Sequence, residues 1–281
     1  MSVRFVFFVI AHAQPRQLAW LVRAIANPND LTLIHINART KDADAAVLRA
    51  AVAGAPGVAF MPQRPVGWGG WGLAEVDLDA MSFALQNGGD WDYFVNLSGQ
   101  DYPLVSVDQM RAALEGEAPR TYLEARPVRD LAPHFRLRSL LRHAERGGRP
   151  RRTLLPNLAP RPAPALYQGL KWGVFHRDFC AWLMADSARL ERACAFFRPT
   201  KIPDESLLST MLMASPFAQT RSDDHKRFVD FEGGKPNPKR LASSDWDALI
   251  QSDAFFARKF DETADPDLMR RLAARIGAPS P

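Results

Sequence analysis

Two cysteines, Cys180 and Cys194, are all that the 281 residues hold. They match no metal-ligand spacing and make no disulfide framework, so a disulfide-stapled fold is excluded and a reducing compartment is the simpler expectation. Membrane-spanning runs are also missing. The apolar N-terminal run Phe5–Ala11 falls far short of the roughly 20 residues that cross a bilayer. With Arg4 as its only basic flank, it reads as a buried strand and not as the core of a signal peptide. Charge of one sign is scarce too: 36 Lys and Arg against 31 Asp and Glu leave +5, with pI about 9.5. So modest an excess favours acidic ligands such as phosphates over wholesale coating of nucleic acid. Hydrophobic residues make up 47% and charged residues 24%, the balance of an ordinary globular chain, which excludes disorder. The length suffices for one large α/β domain or two small ones.

What is present is a regular alternation. Residues 3–10 are β-branched and aromatic, a central strand. Pro15 opens a helix in which Leu18, Leu21, Val22 and Ile25 recur on one face. Residues 31–36 (LTLIHI) form a second strand, 41–53 an Ala-rich helix and 58–61 a third strand. Such an order within about sixty residues predicts βαβ units and a parallel sheet. Right-handed crossovers then bring the residues that follow the strand ends, His12, Asn37 and Arg64, to one edge.

The stretch 90–104, DWDYFVNLSGQDYPL, places a short apolar run ahead of Ser98-Gly99-Gln100-Asp101 and Pro103. The pattern is a buried strand ending in a tight polar loop. Ligands of open α/β sheets sit outside the carboxyl ends of strands, so this loop fits a site wall and an ordinary turn alike. Residues 65–72, PVGWGGWG, join glycines that let backbone approach a ligand to two flat tryptophan faces; a turn packed by aromatics reads the same way. A helix is expected over 73–86 and strands over 121–124, 170–175 and 227–231. Between them, 134–152 carry seven arginines and one acid, Glu145, and Pro-rich sequence continues to Pro164. No aromatic interleaving offers a base-stacking platform, and the stretch reads as a solvated, partly mobile excursion.

Two later segments carry candidate chemistry. In KIPDESLLSTMLM, Pro203 and Asp204 are expected to start a helix whose Leu207, Leu208, Met211 and Leu212 are buried. Asp204 is expected to cap it and Glu205 to face the cleft, its ionised form favoured by the helix dipole. That suits a general base and a routine helix start alike. In SDAFFARKFD, Phe255, Phe256 and Phe260 anchor the adjacent cations Arg258 and Lys259, either as an anion site or as a solvated pair on a helix rim. The acidic doublets at 42–44, 77–79, 90–92 and 245–247 read as helix or strand flanks, not as a strand-end metal loop.

Taken in order, IAHAQPRQLAWLVRAI, LTLIHIN, WGGWGLAEVDL, DWDYFVNLSGQDYPL, LKWGVFHRDF, IPDESLLSTML and FFARKFD resemble the Core-2/I-branching family of glycosyltransferases, which contains β-1,6-N-acetylglucosaminyltransferases and peptide O-xylosyltransferases. The resemblance spans nearly the whole chain. It implies a GT-A type α/β fold, a mixed, mainly parallel sheet flanked by helices, in a single domain over 1–281 with 126–165 as a variable excursion. The activity it implies is inverting, metal-independent transfer of GlcNAc or xylose from a UDP-sugar to a hydroxyl of a glycan acceptor. By the same resemblance Ala11, His12 and Asn37 (a position where the family usually has Asp) wall the uridine, with Arg64 on the same edge. Trp68, Gly69 and Gly70 would flank the donor sugar, with Ser98 beside the donor cleft. Glu124 would contact the acceptor, Glu205 would be the catalytic base, and Arg258 and Lys259, with Arg227, would hold the diphosphate. No metal and no cofactor beyond the UDP-sugar co-substrate is implied, and no nucleic-acid partner. One departure stands out: Lys171 occupies the position where xylosyltransferases have an acid that is a candidate base, which moves the weight to Glu205. The disulfides and Golgi anchor of animal members are absent, so a cytoplasmic protein, at most peripheral to the inner face of a membrane, is expected. The alternative is a non-catalytic nucleotide-sugar or glycan-binding relative that kept the fold.

Overall fold

Seven consecutive buried residues, FVFFVIA, form β1 (Phe5–Ala11), and a strand without polar alternation is one covered on both faces. α1 (Pro15–Ile25) follows, with Pro at its start and Leu18, Leu21, Val22 and Ile25 buried. β2 (Leu31–Ile36), α2 (Asp42–Ala51) and β3 (Val58–Phe60) complete the opening. β1 pairs with β2 and β2 with β3, both in parallel, so the predicted βαβ units form. Beyond α3 (Gly72–Asn87) comes β4 (Tyr93–Ser98), parallel to β1 with Ser98 opposite Ile10. β5 (Asp101–Pro103) and then α4 (Val107–Leu114) follow, the helix opened by a capping box between Ser106 and Gln109. This computed structural model describes residues 2–146, 149–235 and 237–279. Gly147 and Gly148 of the Arg-rich stretch, and Pro236 of the loop at 235–239, lie outside the described residues.

The chain divides into two compact units, neither continuous in sequence: Met1–Gln63 with Asp90–Ala118 and Lys226–Pro281, and Arg64–Gly89 with Pro119–His225. The first holds the parallel order β4-β1-β2-β3. Its core is aromatic, with Phe5, Phe7, Phe8 and Phe94 fully buried, each side chain contributing about 1.5–3 kcal/mol by leaving water.

The second unit begins with α3 and continues through β6 (Thr121–Tyr122), β7 (Arg126–Pro127), α5 (Pro133–Leu140), β8 (Leu141–Arg146) and β9 (Arg149–Pro156). β10 (Tyr167–Gln168), β11 (Val174–His176), α6 (Arg177–Ala185), α7 (Ser187–Phe197), α8 (Leu207–Met213) and β12 (Arg221–Ser222) complete it. β12 pairs in parallel with β6, and β11 pairs with β6 antiparallel. Short antiparallel pairs join β7 to β10 and β8 to β9. Phe175, Phe179, Leu183, Phe197, Leu207, Met211 and Leu212 form its core.

The chain then returns to the first unit with β13 (Arg227–Val229), α9 (Trp246–Ile250), β14 (Phe256–Arg258) and α10 (Pro266–Ile276). β14 lies between β13, parallel to it, and β5, antiparallel to it. The fold class is therefore the one expected, α/β with a mixed, mainly parallel sheet flanked by helices.

Four local expectations are corrected in whole or in part. The stretch 134–152 holds regular structure, α5, β8 and the start of β9, while most of its described side chains are exposed as expected. The strand expected over 170–175 starts only at Val174, because the preceding residues are drawn into side-chain bonds described below. Phe256–Arg258 of FFARKFD form the middle strand of a three-stranded sheet, with Lys259 just past its end, and not a helix rim. Finally, the helix expected from Pro203 is split. Pro203–Glu205 make a single 3-10 turn, and α8 begins at Leu207 after Ser206 breaks the helical backbone with φ −123°.

Candidate active site

The second unit holds a buried acidic turn. Ile202 enters it with φ +55°, a left-handed conformation that a β-branched residue seldom adopts. Its N–H donates to the Gly69 carbonyl at 2.8 Å, which fixes the turn against the WGGW loop. The turn then presents Asp204 and Glu205 at adjacent positions. Asp204 does not cap α8. It is buried, and burial pushes its carboxyl up to about 6, against the pull of the Lys171 cation. Glu205 is partly exposed and its carboxyl is pushed up to about 7, by burial first and then by the Asp204 charge. Two donors hold it: Arg138 Nη1 and Gln168 Nε2, each at 3.1 Å from Oε2. Neither engages Oε1. The Arg138 guanidinium in turn stacks on Phe135, 4.4 Å from the ring centroid.

The segment from Gln168 to Leu170 connects Glu205 to Glu124. Gly169 N–H donates to the Glu205 carbonyl at 2.9 Å, and Leu170 N–H to Glu124 Oε2 at 3.2 Å. Only glycine fits at 169, since an added Cβ would lie 2.0 Å from the Glu124 carbonyl oxygen. Glu124 Oε1 takes Arg126 at 2.6 Å, so both oxygens are engaged. The structure thus brings Glu124 and Glu205, predicted from distant stretches, onto one scaffold. Gly69 joins them through Ile202, and Trp68 stands 61% exposed next to Gly69 and Gly70. Lys171, where an acid was a candidate elsewhere in the family resembled, pairs with buried Asp77 and donates to the Leu73 carbonyl at 3.0 Å.

The first unit holds a basic cluster. Arg258 on β14 stands opposite Asp101 on β5 in the antiparallel register, which sets Nε 3.6 Å from Oδ1. Asp101 is fully buried and its Oδ2 accepts the Ser98 N–H at 2.7 Å, holding the polar loop after β4. Arg227 on β13 is buried and donates to the Asn96 carbonyl at 2.9 Å. Burial lowers it to about 10, while Asp101 acts in the opposite sense. Burial also lowers Arg258 and Lys259, and Arg258 adds a like charge to Lys259. Three cations thus surround one carboxylate, an excess of positive charge that suits an anion. His12 lies at the end of β1, lowered by its surroundings and by Lys259. Asn37 N–H donates to the Ala11 carbonyl at 3.0 Å, and Asn37 Oδ1 accepts the Arg39 N–H at 3.0 Å in an Asx turn. Ser98 Oγ accepts the Gln100 N–H at 3.2 Å.

Arg64 behaves differently from the other residues of its predicted set. It belongs to the second unit, where it pairs with Asp79 and reaches Glu75 at 3.7 Å. The doublet at 77–79 is therefore occupied by Lys171 and Arg64. Among the described residues no group of three or more His, Cys, Asp or Glu is arranged to hold a metal.

Sequence reasoning missed three side chains. Arg138 lay in the stretch read as solvated, and Gln168 between the Pro-rich sequence that ends at Pro164 and the strand expected from 170. Gln17, fully buried on α1, donates to the Gly99 carbonyl at 2.7 Å and the Phe260 carbonyl at 3.2 Å, and its Oε1 accepts the Glu262 N–H at 2.8 Å. It ties the loop at 98–101 to the exit of β14. The one signal for it was a polar residue one position before the apolar face of α1 begins at Leu18.

Among known proteins, xylosyltransferase 2 of Homo sapiens is 26% identical over 293 residues, covering 96% of this chain and 33% of the relative. Xylosyltransferase 1 of Canis lupus familiaris is 27% identical over 299 residues, covering 96% and 30%. The chain thus spans about a third of the length of the curated relatives it matches. A cytidylyltransferase structure from Leptospira borgpetersenii aligns over 68% of each chain with 12% identity and a TM-score of 0.31, too low to carry an argument. The Core-2/I-Branching enzyme profile matches residues 5–251, and by that match the chain belongs to the Core-2/I-branching family of glycosyltransferases.

Proposed function

We propose that this protein is an inverting glycosyltransferase that moves GlcNAc or xylose from a UDP-sugar to a hydroxyl of a glycan acceptor without a divalent metal. The observation that carries the reading is Glu205. A carboxyl raised to about 7 and fixed through one oxygen by Arg138 and Gln168 is poised as a general base at neutral pH. In the step proposed, the acceptor hydroxyl gives its proton to Glu205 Oε1 as its oxygen attacks the anomeric carbon. The bond from that carbon to the β-phosphate oxygen breaks, and the electron pair leaves on UDP. Arg227, Arg258 and Lys259 meet the charge that develops there, the two arginines as forks and Lys259 as a point charge. The exposed face of Trp68 and the adjacent Gly69 and Gly70 are assigned to the donor sugar, Ala11, His12 and Asn37 to the nucleoside, and Glu124 to the acceptor.

The test is a screen of UDP-sugars for UDP release and transfer, run with and without EDTA, beside thermal melts with UDP. Release from UDP-xylose or UDP-GlcNAc that survives EDTA is expected, with UDP raising the melting temperature. Stabilisation by UDP with no release from any donor would leave a binding protein, and loss in EDTA with rescue by Mn²⁺ would overturn the metal-free part. Arg138 offers a finer check. Its cation favours the ionised form of Glu205, so Arg138→Gln moves the acidic limb of the pH–rate profile to higher pH. Activity at pH 6.5 is expected to fall about tenfold, for a shift of about one unit, and much less at pH 9. An unshifted profile would remove Arg138 from this role.

A further inference from the structure

Among the described residues, the large exposed apolar side chains are Val47, Trp68, Leu140, Leu154, Leu155 and Leu158. Four of the six fall within 140–158, where Leu154, Leu155 and Leu158 are 88%, 62% and 83% exposed. The same nineteen residues contain five arginines and one acid, Glu145, so most of the chain's net charge of +5 lies here. A hairpin that only needed solvation would carry polar residues at the leucine positions.

The geometry fixes this display. In the β8–β9 pairing His143 is opposite Arg152, Ala144 opposite Arg151 and Glu145 opposite Pro150. Opposed residues share a face and faces alternate along a strand. The face with Glu145 and Pro150 lies against the WGGW loop: a Cβ on Gly70 would stand 3.2 Å from Glu145 Oε2, and one on Gly69 3.5 Å from Pro150 Cγ. The other face, with Ala144, Arg149 and Arg151, is exposed. The register is irregular between Leu141 and His143, where β9 carries Leu154 and Leu155 outward. Thr153 Oγ1 donates to the Arg142 carbonyl at 2.8 Å and accepts the Leu155 N–H at 3.2 Å. Asn157 N–H donates to the Leu140 carbonyl at 2.8 Å, and its Nδ2 to the Phe196 carbonyl at 2.9 Å. The leucines therefore stand on backbone that is tied down.

We propose that this hairpin docks on the surface of an anionic lipid bilayer, with Leu154, Leu155 and Leu158 entering the boundary between headgroups and acyl chains and Arg149 and Arg151 pairing with lipid phosphates. Apolar insertion flanked by basic residues is the pairing of forces that holds peripheral proteins on membranes. A soluble polyanion would use the arginines and leave the leucines without a role, and no aromatic platform for bases accompanies them. The proposal does not rest on the reading of Glu205 or of the basic cluster.

Cosedimentation of the full chain with vesicles of phosphatidylcholine, with or without phosphatidylglycerol, tests it. Binding is expected to the phosphatidylglycerol vesicles, to weaken with added salt, and to fall about tenfold or more both in Leu154→Ser/Leu155→Ser and in Arg149→Ser/Arg151→Ser. Thermal melts of both variants should match the parent, because all four side chains are exposed. Equal failure of the parent on both vesicle types would overturn the proposal. So would loss in the arginine variant with full retention in the leucine variant, the result a polyanion-binding surface would give.

Discussion

Glu205→Gln is expected to lower glycosyl transfer by about 10²–10⁴-fold, the usual worth of a positioned base, while UDP affinity changes by no more than about threefold. The amide keeps an acceptor oxygen for Arg138 and Gln168, so the geometry of the turn survives, but it cannot take a proton. The same substitution has a stability signature with the opposite sign. In the folded chain the Glu205 carboxyl titrates near 7, against an ordinary 4.5. Between those values the folded state holds a proton that the unfolded state has released. Stability is therefore fully present below about pH 4.5 and is lost as pH rises through about 7, by an amount on the order of 1–3 kcal/mol. Glutamine carries no such loss, so the variant should be more stable than the parent at pH 8 and comparable at pH 4.5. Asp204, raised to about 6, leaves a smaller decline in both proteins. Urea melts at the two pH values, beside transfer assays, read both effects. A fully active variant would remove Glu205 as the base, and a variant less stable at pH 8 would mean that its charge is compensated in the fold.

How much of this was legible depends on the range over which each residue acts. β1 and α1 announce themselves, because an unbroken apolar run and a 3-4 apolar spacing each have one low-energy outcome. The hold of Asp101 on the Ser98 N–H is local, three residues apart, and loop chemistry of that range is readable. β6, β7 and β10, two residues each, are set by what they pair with and leave no periodicity to detect. Arg138 and Glu205 are 67 residues apart and Asp77 and Lys171 are 94. No spacing rule joins such pairs, and composition alone made Arg138 look like one more solvated cation. The break before α8 was hidden for another reason. Pro203 and Asp204 are good helix starters, but the left-handed Ile202 and its bond to Gly69 close a separate turn first. That tertiary contact moved Glu205 out of the helix and turned Asp204 from an expected cap into a buried acid.

Asp101→Asn is expected to cost about 3–5 kcal/mol of stability, the usual penalty for removing one member of a buried ion pair. In a chain of this size that lowers the melting temperature by about 5–15 °C. Asparagine fills the same space and can still accept the Ser98 N–H, so packing is not what is lost. What is lost is a carboxylate whose charge favours the ionised forms of both Arg227 and Arg258, each buried. An anion added from solution should supply the missing charge if this cluster is built for a diphosphate. UDP or pyrophosphate is then expected to raise the melting temperature of Asp101→Asn by several degrees more than that of the parent, where the cluster is already partly neutralised. Arg258→Ala is the control with the reverse logic. It leaves Asp101 buried with less positive charge around it, so anions should stabilise that variant less than the parent. Equal anion-induced shifts in all three proteins would show that the anions act elsewhere and that the cluster serves only the fold. An Asp101→Asn protein as stable as the parent would show that the arginines do not depend on that carboxylate at all.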